Sequence, residues 1–151
     1  MRPQLVVSIK EQSLKWQDSA EAEMSFPISS SKFGLGTKEG SNCTPLGRFR
    51  ICEKYGARSP LYTSFKGRCP VSVWNPEEPS EEDFVLSRIF RLEGLSSELT
   101  NTNNRYIYFH GTNKEDLIGT PASHGCIRMK NADIAMLYPL VPVGTEVIIE
   151  D

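Results

Sequence analysis

The chain has 151 residues, 38% of them hydrophobic and 24% charged, with a formal net charge of -2. Such a length suits one domain whose core needs neither metal nor disulfide support, and a nearly neutral chain with dispersed lysines and arginines argues against nucleic acid or an anionic membrane as partner. No run approaches the ~18 apolar residues of a membrane span, and the apolar stretch after Met1-Arg2-Pro3-Gln4 is too short for a secretory signal, so the expected location is the cytoplasm, or the periplasm if a preceding segment has been removed.

Alternation with period two marks three short strands near the N-terminus. Leu5, Val7 and Ile9 oppose Val6, Ser8 and Lys10; Leu14 and Trp16 oppose Ser13, Lys15 and Gln17; Ala20, Ala22, Met24 and Phe26 oppose Glu21, Glu23 and Ser25. Their short connections predict an antiparallel meander. Gly34, Gly36, Gly40, Pro45 and Gly47 then punctuate a loop, and Phe49 and Ile51 alternating with Arg48 and Arg50 predict a further strand.

From Tyr55 to Asp83 the pattern fades among Pro60, Gly67, Pro70, Pro76 and Pro79, predicting a long irregular excursion of the kind that serves as a lid or binding loop or stays disordered. Its acidic runs, Glu77-Glu78 and Glu81-Glu82-Asp83, read as solvated surface. Strand character resumes from Phe84 to Glu93 and, after a turn with Asn101, Asn103 and Asn104, from Arg105 to His110. In that strand Ile107 and Phe109 face the aliphatic core, while Tyr106, Tyr108 and His110 face the opposite side, which suits the wall of a site. Asn131 is placed to N-cap a helix with Asp133 in its first turn and an Ile134, Leu137, Tyr138 stripe, limited by Pro139. A Gly144-Thr145 turn feeds a last strand to Glu150, so the expected architecture is mainly β with one or two short helices.

The chain's two histidines lie near one of its four cysteines: Cys126 sits in Ser123-His124-Gly125-Cys126-Ile127-Arg128, and His110 is sixteen positions upstream. An imidazole that removes a thiol proton makes a nucleophile at neutral pH, which points to a cysteine acyl-enzyme. His110, arriving from another strand, suits the base; His124, two residues from Cys126, points the same way as the thiol and suits support or substrate contact. Gly125 lets the backbone N–H groups around 125 and 126 approach an oxyanion. No carboxylate is evident as a third member, so a backbone carbonyl, that of Gly111, is expected to orient His110.

Arg128 is placed to bind a substrate carboxylate, to depress the thiol pKa or to pair with Asp133, and the sequence leaves these open. His110, His124 and Cys126 also offer three zinc ligands, but a fourth ligand and a glutamate base are lacking, so no metal or cofactor is expected. Cys43, Cys52 and Cys69 are too irregularly spaced for a zinc ribbon and are expected to remain thiols. A buried, inert cysteine with scaffold histidines is the plainer reading, and the clustering of all three in a Gly-flanked segment argues against it.

These residues resemble the L,D-transpeptidase catalytic-domain (YkuD) family. The resemblance is carried by His110-Gly111-Thr112, Ile118-Gly119-Thr120-Pro121, the run from Ser123 to Met129, Asn131 with Asp133, Val141-Pro142-Val143-Gly144-Thr145, Phe26-Pro27-Ile28-Ser29-Ser30 and Thr44-Pro45-Leu46-Gly47-Arg48-Phe49; the interior from Tyr55 to Asn104 has no matching motif. It implies one catalytic domain over residues 1–151, a β-sandwich with one or two short helices and a long irregular loop. It also implies Cys126 as nucleophile, His110 as base and His124 as a site residue; with these, Gly125, Gly111 and His124 are expected as oxyanion and support residues, and Arg128, Ser123 and Tyr108 as substrate contacts. The implied substrate is a peptidoglycan tetrapeptide or muropeptide, attacked between its diamino acid and D-alanine, and carbapenem-type β-lactams are expected to acylate the thiol. Most family members are exported cross-linking enzymes, often with a signal, anchor or wall-binding module. None is evident here, so the expected reaction is L,D-carboxypeptidase hydrolysis in muropeptide recycling, with cross-link formation as the alternative.

Overall fold

Leu5 and Val7 of β1 (Gln4–Ser8), Leu14 and Trp16 of β2 (Ser13–Gln17) and Phe26 and Ile28 of β3 (Glu23–Ser29) all enter one core, as their alternation requires. Both pairings are antiparallel, the expected meander. The computed structural model describes residues 2–18, 22–34, 43–78, 80–95 and 107–151. Expectations that fall on Ala20, Glu21, Gly36, Gly40, Pro79, Asn101, Asn103, Asn104, Arg105 and Tyr106 therefore lie outside the described residues.

Seven further strands follow among the described residues: β4 (Gly47–Tyr55), β5 (Thr63–Lys66), β6 (Cys69–Val73), β7 (Val85–Gly94), β8 (Tyr108–Gly111), β9 (Ile127–Met129) and β10 (Glu146–Glu150). One sheet runs β4-β10-β1-β2-β3-β9-β8-β7-β5-β6, and an added β4–β7 pairing joins its ends into a closed, barrel-like sheet. The β-rich domain expected from the sequence is thus built as a single sheet wrapped on itself. Its interior holds Phe49, Ile51, Phe90, Leu92, Phe109 and Val147, all fully buried, with Ile134 and Leu137 from helix α1 (Asn131–Leu137) in the same cluster. Each such side chain contributes roughly 1.5–3 kcal/mol. Surface pairs such as Arg48–Glu146, at 2.7 Å with the arginine 66% exposed, contribute roughly 0–1 kcal/mol, so burial carries the fold. Among the described residues no helix is long and apolar enough to cross a membrane.

Two expectations need correction. The stretch from Tyr55 to Asp83 contains the β5–β6 hairpin, which adds to β7 beyond the closed part of the sheet. Gly67 and Arg68, with φ of 57° and 68°, make its two-residue turn. Pro70 is compatible with a strand here because proline is tolerated on an edge strand, and β6, exposed along its whole length, pairs among the described residues only with β5. Asn131 is the first helical residue and Lys130 the N-cap, because the Asn131 side chain is engaged elsewhere.

Candidate active site

β8 and β9 run parallel, with Phe109 opposite Ile127 and His110 opposite Arg128. Alternation sends Ile107, Phe109, Ile127 and Met129 into the core and leaves Tyr108, His110 and Arg128 on the outer face. Cys126, one residue before β9, falls on that outer face and packs with Tyr108, Phe65 and Ile89. The Tyr108 N–H donates to Cys126 Sγ over 3.4 Å. His110 is buried, and its Nδ1 lies 2.6 Å from the Gly111 carbonyl. A carbonyl only accepts, so Nδ1 carries a proton and Nε2 is the basic nitrogen of the neutral ring. Burial pushes the His110 pKa below the ordinary imidazole value; the Gly111 carbonyl and Asp83 offset this, and Arg128 adds to it.

Gly111 is required by close approach. Opposite it, β7 bulges between Leu86 and Ile89, with Ser87 at φ 70°. The Ser87 hydroxyl accepts the Tyr62 N–H at 3.0 Å and donates to Asn131 Oδ1 at 2.7 Å. Asn131 Nδ2 donates to the Thr112 carbonyl at 2.8 Å, and its N–H to Glu115 Oε2 at 2.7 Å. This knot leaves no room for a side chain, since a Cβ on Gly111 would stand 2.4 Å from Asn131 Oδ1 and 2.7 Å from the Leu86 carbonyl.

The segment before the thiol is tied just as closely. The Ser30 carbonyl accepts the N–H groups of Ala122 and Ser123, each at 2.8 Å, and Thr44 Oγ1 donates to the Gly125 carbonyl at 3.1 Å. Ser123, expected among the substrate contacts, is 1% exposed; its hydroxyl donates to the Cys126 carbonyl at 2.6 Å and accepts the Gly125 N–H at 3.3 Å. It therefore shapes the turn. The Gly125 N–H, expected to face an oxyanion, is directed at Ser123, while Gly125 itself takes φ 122°, a conformation L side chains rarely adopt. His124 is half exposed, its ring 5.6 Å from that of Phe33 and its Nδ1 3.7 Å from Asp83 Oδ2.

Arg128 is not an open carboxylate clamp, nor does it pair with Asp133. It is 3% exposed and donates to Asp83 Oδ2 and, at 3.2 Å, to the Ala122 carbonyl. Asp83, itself 38% exposed, is the residue beside the site that sequence reasoning missed, because an acidic run in a proline-rich stretch has no signal separating the partner of a buried arginine from the rest of a solvated surface. Beside it, a groove of about 350 Å³ runs between the hairpin and the segment before β7, lined by Phe65, Val71, Glu82, Asp83, Phe84 and Val85. Tyr108 bounds the site with a hydroxyl pushed up to about 12 by burial, with Arg68 and Arg91 acting in the opposite sense. A larger cavity of about 610 Å³ near Arg2, Arg48, Arg50 and Pro142 holds no cysteine or histidine, and Arg48 and Arg50 are paired with Glu146 and Glu93. Among the described residues no three His, Cys, Asp or Glu side chains converge as metal ligands would.

A cysteine just before β9 and an Nδ1-anchored histidine on the neighbouring parallel strand β8, both on the outer face of a closed β-sheet, make a candidate thiol–imidazole site on a mainly β scaffold. Residues 2–149 match the L,D-transpeptidase catalytic domain (YkuD), and the chain belongs to that family. It is 34% identical over 108 residues to "Putative L,D-transpeptidase YkuD" of Bacillus subtilis, covering 67% of this chain and 65% of that protein. It is 29% identical over 119 residues to "Putative L,D-transpeptidase YqjB" of the same organism, covering 79% of this chain and 58% of that one. The fold matches an L,D-transpeptidase from Mycobacterium smegmatis with a TM-score of 0.65 at 19% identity, over 99% of this chain and 59% of that one. A structure of LdtMt1 in complex with imipenem matches with a TM-score of 0.60 at 20% identity, over 97% and 58% of the two chains. The chain thus spans about three fifths of the length of several relatives.

Proposed function

We propose that this chain is a cysteine-dependent acyl-transfer enzyme acting on peptidoglycan stem peptides, with Cys126 as nucleophile and His110 as base. The observation that carries the reading is the β8–β9 register, which sets Cys126 and His110 on one face while the Gly111 carbonyl orients the imidazole. In the first step Nε2 of His110 takes the thiol proton as Sγ attacks the carbonyl of the diamino acid. The C–N bond to D-alanine then breaks, and the imidazolium returns its proton to the departing amine. The Tyr108 N–H, already directed at Sγ, favours the thiolate. Burial favours a neutral His110, the form a general base needs at neutral pH.

For the second step we propose water as the acceptor, giving an L,D-carboxypeptidase. Arg128 is buried and engaged by Asp83, so the cation assigned to the free D-alanine carboxylate is Arg68 at the hairpin turn, which lies in a long 3.9 Å pair with Glu53 and whose charge is felt at Tyr108. The test is incubation with a sugar-free tetrapeptide, with and without an amine acceptor, followed by mass spectrometry. Tripeptide and free D-alanine are expected as dominant products. Dominant cross-linked dimer would make the enzyme a transpeptidase, and unchanged tetrapeptide with either acceptor would end the acyl-transfer reading.

A further inference from the structure

Arg128 is a buried cation on the strand beside the imidazole. It faces His110 across the β8–β9 ladder, so its side chain and the imidazole are neighbours on one face. Unneutralised, a guanidinium there would oppose formation of the imidazolium that the first chemical step requires. Its Nη groups reach Asp83 and the Ala122 carbonyl, and its Nε is buried without a hydrogen-bond partner among the described residues. Asp83 alone among the described carboxylates pairs with it.

The position of Asp83 is itself fixed from both sides. Asn113 Nδ2 donates to the Glu82 carbonyl at 2.7 Å, the Phe84 N–H donates to Asn113 Oδ1 at 2.9 Å, and Lys114 Nζ donates to the Ser80 carbonyl at 2.8 Å. Residues following β8 therefore hold the acidic segment against the strand that carries His110. The acidic run is solvated, as expected, with Glu81, Glu82 and Asp83 all exposed, yet its backbone is anchored so that the Asp83 carboxylate meets Arg128.

We propose that Asp83 is a positioning residue acting through Arg128: it neutralises and orients the guanidinium beside His110, so that the imidazole can accept the thiol proton. The inference rests on His110 being the base of the acyl-transfer reaction. The other groups around His110 fit this arrangement. The turn before β9 brings Cys126 and His124, β7 presents the apolar Ile89 in register with His110, and Arg88 is turned to the Ser59 and Ser87 carbonyls. Helix α1 contributes the neutral amide of Asn131, bonded to the Thr112 carbonyl. Asp83 and Arg128 are the charges felt at His110, with opposite effects.

The experiment compares wild type, Asp83→Asn, Asp83→Glu and the double variant Asp83→Asn/Arg128→Met. Imidazole nitrogen NMR reads His110 in the folded protein, with His124→Gln giving the assignment in a chain of two histidines. The pH profile of kcat/KM for D-alanine release is measured in parallel. In Asp83→Asn the His110 midpoint moves down, the acid limb moves to lower pH with it, and the plateau falls on the order of tenfold as the base weakens. Asp83→Glu keeps the wild-type profile, and the double variant moves the midpoint back up. An unchanged midpoint in Asp83→Asn would overturn the proposal, including the case in which only thermal stability falls. A midpoint that drops but does not recover in the double variant would sink the route through Arg128. If wild type released no D-alanine the acyl-transfer reading would fail, while the NMR midpoints would still decide whether Asp83 tunes His110 through Arg128.

Discussion

At Cys126 the side chain is half buried between Tyr108, Phe65 and Ile89, accessible enough to react and ordered enough to aim. Cys126→Ala is expected to lower D-alanine release by several powers of ten with an unchanged thermal midpoint, because only transition-state interactions are lost; near-normal turnover would remove covalent catalysis. A carbapenem is expected to add one adduct by intact mass, mapped to Cys126, and an adduct on Cys43, Cys52 or Cys69 would identify a different reactive thiol. His110 gives a second test through linkage. Its folded-state pKa lies below the ordinary 6.5, so as pH falls the unfolded chain binds the proton first. The His110 contribution is therefore neutral well above 6.5 and destabilising from there down towards the folded value. Urea midpoints at about pH 7.5 and about pH 5.5 should show a smaller acid loss in His110→Gln than in wild type. Equal losses would mean that His110 is not held neutral by burial.

Between elements, the joint formed by the β7 bulge, the end of β8 and the start of α1 sets where His110 points. Asn131 connects all three, accepting from Ser87 and donating to Thr112 and Glu115. Asn131→Ala leaves the buried Ser87 hydroxyl and Thr112 carbonyl without those partners, at about 1–3 kcal/mol for each group left unsatisfied. It is expected to lower the urea midpoint and, by loosening the wall behind Gly111, to reduce kcat more than it raises KM. Wild-type stability in this variant would show that water replaces the amide at no cost. Asn131 therefore acts at the helix start as a crosslink between elements, where the sequence pattern reads as an N-cap.

For the molecule as a whole, the closed part of the sheet is the stable body and the β5–β6 hairpin is an addition that walls the groove. Ile51 sits fully buried on β4, at the seam that closes the sheet, whereas Val73 on β6 is 57% exposed. Ile51→Ala is expected to cost about 2–5 kcal/mol through lost burial and the cavity left behind. Val73→Ala is expected to stay within about 0.5 kcal/mol. Comparable losses by denaturant titration would mean that the hairpin and the closed sheet share one core.

Strands β1, β2, β3, β4, β7 and β10 were legible in the sequence because alternation is local, repeating within a few residues of itself. Cys126 and His110 stood out as candidates because unusual residue types cluster in a short stretch, and the His110 contact with the Gly111 carbonyl was legible because it joins adjacent residues. The β5–β6 hairpin was not legible, since an exposed edge strand carries no apolar face to alternate. The three-residue β9 is too short to show a period and exists through β3 and β8. Asp83 meets Arg128 across 45 positions, and Ser87 meets Asn131 across 44. Such contacts leave no local pattern, because strand pairing brings the partners together and only in the folded core does leaving them apart become costly. The sequence by itself determined the strand periodicity and the candidate thiol and imidazole; the tertiary structure decided that His110 stands beside the Arg128–Asp83 pair, because only strand pairing brings those residues together.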